Sequence, residues 1–192
     1  MDDGGGNRQV ILESALSLFS DRGYEAVGVA ELCEVSKVTK PTLYHYFGSK
    51  RGLLDAIIAE RGGLLFARVK TAAAYAHDVP RGLESVAFAF AQTAREDGKF
   101  ARLRLGLSFA PPGSEGGQAS SSLNDAIFAE VEAFFLEASK DHGNMKGRSR
   151  AYAAAFIGTM DTYVGLYLAG RIELSETVVR NAVRQFMYGI FS

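Results

Sequence analysis

Apolar residues recur at steps of three and four along most of the chain, which is the period of a helix that buries one face. In the first segment Ile11, Ala15 and Phe19 follow this period, and Gly23 supplies a left-handed C-terminal cap. No run of alternating apolar and polar residues bounded by turn residues indicates a strand. The pattern therefore predicts an all-α fold.

Turn and capping residues divide the first part of the chain into three short helices and one long helix. A second helix follows Gly28, a third is capped by Thr39, and a fourth is capped by Ser49 and continues to about Val69. Residues 36–38 form a tight turn between the second and third helices. Two short helices joined in this way are typical of a helix-turn-helix.

The remainder of the chain is also predicted to be helical. Five helices are expected, over residues 79–94, 100–109, 123–142, 148–169 and 175–191. Residues 110–122 are dense in Pro, Gly and Ser, which predicts a surface loop, and the acidic, Gly-rich residues 1–7 are predicted to form a flexible tail.

Charge is distributed unevenly along the chain. The net charge of −1 gives the whole chain no affinity for a polyanion. Between Ser36 and Gly52, however, all the charged side chains are basic. They are Lys37, Lys40, Lys50 and Arg51, and His45 lies among them. Any interaction with nucleic acid is therefore expected at the helix-turn-helix.

The residues around this turn resemble the signature of the TetR/AcrR family of transcriptional regulators. The matching positions, within residues 8–54, are Phe19, Gly23, Tyr24, Leu32, Val38, Thr39, Lys40, Pro41, Thr42, Leu43, Tyr44, Tyr46, Phe47, Ser49, Lys50, Leu53 and Leu54. The resemblance implies a three-helix DNA-binding domain over 1–52, which includes the tail, and a helical ligand-binding and dimerisation domain over 53–192. The second domain is similar to the family in layout only.

By this resemblance the start of the third helix faces DNA. Thr39 and Lys40 would meet phosphates and base edges, Thr42 would offer its methyl group to a thymine, and Tyr44 would bond a phosphate. The predicted DNA-binding residues are Lys37, Thr39, Lys40, Pro41, Thr42, Tyr44, His45 and Lys50. For Tyr44 the alternative is a place in the core.

Two positions depart from the family pattern. Val27 and Gly28 stand where a capping Thr or Ser is usual, so a hydroxyl near the DNA backbone is lost. Lys37 stands where the turn usually has Gly, and a side chain in the left-handed region costs about 1 to 2 kcal/mol. Its charge can favour DNA binding.

The second domain offers candidates for a ligand site. Asp161 lies among aromatic residues, and either selects a ligand in a pocket or is exposed or bonded across a dimer interface. The candidate ligand-binding residues are Arg102, Phe109, Phe128, Asp161 and Tyr163.

The last two helices carry complementary stripes. Small residues recur at Gly158, Thr162, Gly165 and Ala169. Large apolar residues recur at the same steps at Val179, Val183, Phe186 and Ile190. These stripes predict a homodimer interface in which large side chains face small ones, with packing inside one chain as the alternative.

Other classes of protein are disfavoured. Cys33 is alone, which excludes a disulfide, and no His pair has metal-ligand spacing, so no metal is expected. No catalytic motif or phosphate loop is present, so we expect neither an enzyme nor a cofactor. The apolar stretch 151–170 contains Asp161, which argues against a membrane span, and the N-terminus does not resemble a signal peptide. A cytoplasmic protein is expected.

The expected function is a ligand-responsive transcriptional regulator, in the first instance a repressor. It would bind palindromic double-stranded DNA as a homodimer and be released by a small-molecule effector. The alternative is a helical interaction protein of the same fold that no longer reads DNA. It is favoured by the acidic residues Glu25, Glu31 and Glu34 at and before the second helix, and by the altered turn.

Overall fold

The computed structural model describes residues 4–189, and these form helices and their connections without a strand. The helices are α1 (Gly4–Arg22), α2 (Val29–Ser36), α3 (Lys40–Phe47), α4 (Lys50–Ile57), α5 (Gly63–Ala72), α6 (Val79–Glu96), α7 (Gly98–Ser108), α8 (Glu115–Asp141), α9 (Ser149–Leu168) and α10 (Glu176–Tyr188). A π-helical turn, Ile58–Gly62, joins α4 to α5, and a 3₁₀ turn, Gly143–Met145, precedes α9. The predicted all-α fold is confirmed.

The chain divides into two compact units. The first combines residues up to Gly63 with 99–122, and the second combines 64–98 with 123–192. The sequence prediction divides the chain by function, into a DNA-binding domain over 1–52 and a regulatory domain over 53–192. This functional division stays a prediction.

In the first unit, α1 packs against α2, α3 and α4. The side chains at the centre of this bundle are fully buried because the apolar positions of the four helices face one another. They include Leu12, Leu16, Phe19, Leu32, Leu43, Leu53 and Leu54. The short helices are therefore held by a shared core and not by their own length.

In the second unit, α6 packs against both α9 and α10. Phe134, Phe135 and Phe156 are buried at its centre, and the ring of Phe186 lies 5.2 Å from that of Phe156. Gly82 lets α6 approach α8 closely, since a Cβ atom there would lie 2.3 Å from the Phe134 ring. Within residues 4–189, no helix is long and apolar enough to cross a membrane.

The largest differences from the sequence prediction are at three places. Helix α1 begins at Gly4, so the described part of the predicted tail 1–7 is helical, because extending a helix that has already formed needs no new nucleation. The predicted loop 110–122 ends at Ser114, whose side chain accepts a hydrogen bond from the amide of Gly117 at 3.1 Å. The predicted long fourth helix is interrupted by the π-helical turn.

Candidate nucleic-acid interface

The N-terminus of α3 is organised by a threonine cap. Thr39 has extended backbone, and its Oγ1 accepts a hydrogen bond from the amide of Thr42 at 3.3 Å. The two threonine hydroxyl oxygens lie 2.9 Å apart. Pro41 occupies the first turn, where a missing amide hydrogen costs little. The cap confirms the predicted start of α3 and leaves the positive end of the helix dipole at the surface.

The two faces of α3 are clearly different. Leu43 is fully buried, whereas the Tyr44 side chain is 45% exposed. Lys40, Pro41 and His45 are also exposed. Tyr44 thus lies outside the core, as the DNA-binding interpretation requires, while its contact with DNA stays a prediction.

The turn before α3 has the strained geometry that the sequence predicts. Lys37 ends α2 with φ 55° and ψ 39°, which is the left-handed region. Its amide donates to the carbonyl of Glu34 at 3.2 Å, and that of Val38 donates to Cys33 at 3.0 Å. Gly28 begins α2 without a side-chain cap, also as predicted. The lysine side chain is exposed beside the start of α3.

A second helix start lies directly after α3. Ser49 Oγ accepts a hydrogen bond from the amide of Gly52 at 2.9 Å and so caps α4. A Cβ atom at Gly52 would lie 2.0 Å from the carbonyl oxygen of Phe47, so only glycine allows α3 and α4 to approach this closely. Lys50 is half-buried in this first turn, and its Nζ lies 4.0 Å from the centre of the Tyr24 ring.

The basic side chains differ in their ion pairs. Arg51 Nε donates to Asp55 Oδ1 at 2.8 Å, and this hydrogen bond raises the pKa of the guanidinium. Among residues 4–189 no carboxylate forms an ion pair with Lys37, Lys40 or Lys50. Three cations near the two helix starts are therefore available for phosphates.

The candidate ligand-binding residues are divided between the two units, and their role in binding a ligand stays a prediction. Arg102 and Phe109 belong to the first unit and are exposed, Phe109 at 83%. Phe128, Asp161 and Tyr163 belong to the second unit and are half-buried. Aromatic content along a sequence shows which residues can line a pocket, but not which helices close it.

The second unit contains a cavity of about 650 Å³. Its lining comes from α6, α8, the 3₁₀ turn, α9 and α10, and none of the five predicted ligand residues belongs to it. The lining residues are Val79, Pro80, Leu83, Phe135, His142, Asn144, Met145, Tyr152, Ala155, Phe186 and Met187. A second, open groove of about 970 Å³ lies between α5 and α6.

The small-residue stripe of α9 lies at the surface of the second unit. Gly158, Thr162 and Ala169 are exposed, and Gly165 is half-buried. A Cβ atom at Gly158 would meet nothing within 4 Å. This side of α9 is therefore available to a second copy of the chain, and dimerisation through it stays a prediction.

The large residues predicted to face this stripe pack inside their own chain, so that part of the interface prediction is revised. Val179 and Val183 are 3% and 1% exposed, and Phe186 is half-buried against Phe135 and Phe156. Helical periodicity identified the buried side of α10 without saying what buries it. Ile190 lies outside the described residues.

Metal-ligating residues do not gather in the described part of the chain. Within residues 4–189 no three His, Cys, Asp or Glu side chains are placed to hold an ion.

Comparison with known proteins agrees with this geometry. The family described as "Bacterial regulatory proteins, tetR family" matches residues 11–57, which contain the helix-turn-helix. The HTH-type transcriptional activator FasR of Mycolicibacterium smegmatis is 28% identical over 150 residues, which are 78% of this chain and 67% of FasR. The A-factor receptor protein of Streptomyces griseus is 41% identical over 51 residues, 27% of this chain but only 18% of the receptor.

A solved structure extends the likeness to the whole fold. The TetR family transcriptional regulator PfmR of Thermus thermophilus is 25% identical, with a TM-score of 0.73 over 94% of this chain and 98% of PfmR. The names of these proteins are those of regulators and a receptor rather than enzymes, in agreement with the sequence prediction. Residues 11–57 thus carry the helix-turn-helix domain of the TetR family, and the chain is similar over most of its length to bacterial transcriptional regulators of that family.

Proposed function

We propose that this chain binds palindromic operator DNA as a homodimer and represses transcription until a small molecule releases it. The observation that carries the DNA-binding part is the outer face of α3, where exposed Lys40, Tyr44 and His45 follow a capped helix start. A helix of this kind fits the major groove, and its positive end attracts phosphate. Lys37 and Lys50 flank it and supply further phosphate contacts.

Selection from random duplexes, followed by fluorescence anisotropy at several salt concentrations, tests DNA binding. We expect an inverted repeat, because a two-fold dimer presents two identical reading helices. Lys40→Ala should weaken binding to all sequences and reduce the slope of log affinity against log salt by about 1 for each phosphate that the lysine neutralises. Thr42→Ala should relax the preference at one base pair of each half-site.

Lys146→Ala is the matched control, since Lys146 is exposed in the second unit and its removal should leave the salt slope unchanged. Recovery of no preferred duplex would instead favour the alternative function, a helical interaction protein that no longer reads DNA. Equal binding by wild type and Lys40→Ala at every salt concentration would remove α3 from the interface. Transcription in vitro from a promoter that carries the selected site decides between repression and activation.

The cavity of about 650 Å³ supports the effector part of the proposal. Its walls are mainly Val, Leu, Phe and Met, with His142, Asn144 and Tyr152 as the residues that carry polar groups, which suits a largely apolar molecule with a polar end. An effector in this cavity would lower DNA affinity only if it binds more tightly to a dimer conformation in which the two α3 helices no longer match the spacing of the half-sites. A useful response needs a coupling free energy of about 1 to 3 kcal/mol between effector binding and DNA binding.

Thermal-shift measurement with a metabolite library identifies the effector. Asn144→Trp should reduce the shift by narrowing the cavity, whereas Lys146→Trp should not, since Lys146 is exposed nearby but is not part of the lining. A compound that stabilises the protein and leaves DNA affinity unchanged would contradict the coupling.

A further inference from the structure

A buried tyrosine in the first unit contacts both the first turn of α4 and the first turn of α8. Tyr24 is 3% exposed, and its ring meets the edge of Phe19 with the ring centres 5.1 Å apart. Its hydroxyl donates to Glu115 Oε2 at 2.5 Å. The same ring also contacts Lys50, whose ammonium nitrogen lies 4.0 Å from the ring centre. One side chain therefore connects an acidic residue of α8 with a basic residue of α4.

Two glycines allow the start of α8 to come this close. A Cβ atom at Gly116 would lie 2.9 Å from Leu107 Cδ2 and 3.7 Å from Tyr24 Cδ1. A Cβ atom at Gly117 would lie 2.4 Å from the carbonyl oxygen of Pro111. The pair thus serves close packing against Tyr24 and Pro111, not flexibility. Glu115 precedes this pair and reaches the tyrosine hydroxyl.

The surroundings keep Tyr24 a neutral donor. Burial, and then its hydrogen bond to Glu115, raise the pKa of the phenol, and Glu25 acts in the same direction while Arg51 opposes it. A hydrogen bond to a carboxylate also places electron density on the ring, which strengthens its attraction for a cation above the face. The ring therefore offers Lys50 a fixed and favourable position.

We propose that Tyr24, held by Glu115, is a positioning residue that orders Lys50 for a DNA phosphate without touching DNA itself. This role for Tyr24 rests on the proposed DNA-binding function. A free lysine side chain loses rotamer freedom when it binds a phosphate, and a lysine already seated on a ring loses less. Glu115, a residue of the segment that the sequence predicts as a loop, thereby influences DNA affinity.

The position of Lys50 can be measured in the protein alone, before any DNA is added. The Hε protons of Lys50, assigned by their disappearance in Lys50→Arg, should resonate upfield because they lie over an aromatic ring. Tyr24→Leu should abolish this shift, and Glu115→Ala should reduce it. Glu115→Gln should keep most of it, since the amide oxygen still accepts the tyrosine proton. Lys50 Hε protons at their ordinary position in the wild type would overturn the proposal.

A double-mutant cycle measures the effect on DNA. Tyr24→Phe keeps the ring and removes the hydrogen bond, and should weaken binding to the selected duplex about two- to fivefold. In the Lys50→Ala background the same substitution should have no further effect. Tyr75→Phe is the matched control, because Tyr75 also donates to a carboxylate, that of Asp141, but belongs to the second unit.

The outcomes separate this proposal from the proposed function. If Tyr24→Phe weakens binding equally in both backgrounds, Tyr24 acts through the fold and the positioning proposal is wrong. If the wild type binds no duplex, the DNA-binding function is wrong, and the Lys50 proton shift alone decides whether Tyr24 orders the lysine.

Discussion

At position 37 a lysine occupies a backbone conformation that glycine adopts more easily. Lys37→Gly should remove this strain and raise the free energy of unfolding by about 1 kcal/mol, after allowance for the greater freedom of glycine in the unfolded chain. The measurement is urea denaturation at neutral pH. Lys37→Ala removes the same charge but keeps the positive φ, so the two variants differ only in the backbone effect.

The loss of the Lys37 charge is expected to weaken DNA binding, although the loss of backbone strain in the glycine variant should stabilise the fold. Both variants should bind the selected duplex more weakly, and the salt slope should fall by about 1 for each phosphate that Lys37 neutralises. A glycine variant no more stable than the alanine variant would mean that the turn relaxes around any side chain. These two outcomes together would show that Lys37 lowers the stability of the turn and strengthens DNA binding.

At the C-terminal end of α8, the Asp141 carboxylate forms hydrogen bonds with two residues of the α5–α6 connection. Asp141 Oδ2 lies 2.6 Å from His77 Nδ1 and accepts a hydrogen bond from the Tyr75 hydroxyl at 2.9 Å. The hydrogen bond with His77, followed by that from Tyr75, lowers the pKa of Asp141. Because the folded pKa is depressed, this contribution to stability is complete above about pH 4 and disappears as the pH falls through the lowered value.

Asp141→Asn should therefore lower the melting temperature at neutral pH, and its difference from the wild type should shrink at acidic pH. Scanning calorimetry between neutral and acidic pH measures this. Asp125→Asn, on the same helix and exposed, serves as the control. A difference for Asp141→Asn that stays constant with pH would show that the carboxylate charge is not what stabilises this end of α8.

Two helix starts near the helix-turn-helix were predictable from their capping side chains. Thr39 and Ser49 each accept the amide hydrogen bond that the sequence predicts for a cap. The start of α8 was not predictable, because Gly116 and Gly117 look like loop residues until Tyr24 and Pro111 are known to lie against them. Local patterns specify caps and buried sides, but contacts between distant segments decide the rest.

The residues of the proposed DNA interface could be selected from the sequence because they lie on one short helix and next to its two ends, and their contact with DNA stays a prediction. The lining of the cavity in the second unit was not predictable, since it is built from separate segments of the chain. For α10, too, contacts with distant segments of the chain decide what covers its apolar side. The period of Val179 and Val183 identifies a buried side, and only the fold shows that their own chain buries it.

The proposed dimer can be tested at the exposed side of α9. Gly158→Arg adds a long charged side chain where the single chain has open space, so the fold should tolerate it while a helix packed against this side should not. We expect monomers in sedimentation velocity and greatly weakened DNA binding. Gly106→Arg is the control, since Gly106 is also helical and exposed with open space around its Cβ.

A Gly158→Arg protein that remains dimeric and binds DNA normally would place the dimer interface on another surface. Monomers formed by both arginine variants would point instead to a general effect of the added charge. Circular dichroism should show unchanged helix content in both, because arginine favours a helix more than glycine does.

The close approach of α3 and α4 at Gly52 has a genetic consequence. A side chain at this position would collide with the Phe47 carbonyl and tilt the reading helix, although Gly52 itself needs no contact with DNA. Gly52→Val leaves the exposed side of α9 intact, so in the proposed dimer a defective subunit should still assemble with a normal one. In a cell carrying both alleles, each mixed dimer would have only one α3 helix correctly placed to bind a half-site. Such an allele should therefore be dominant over the wild type, whereas Gly158→Arg should be recessive.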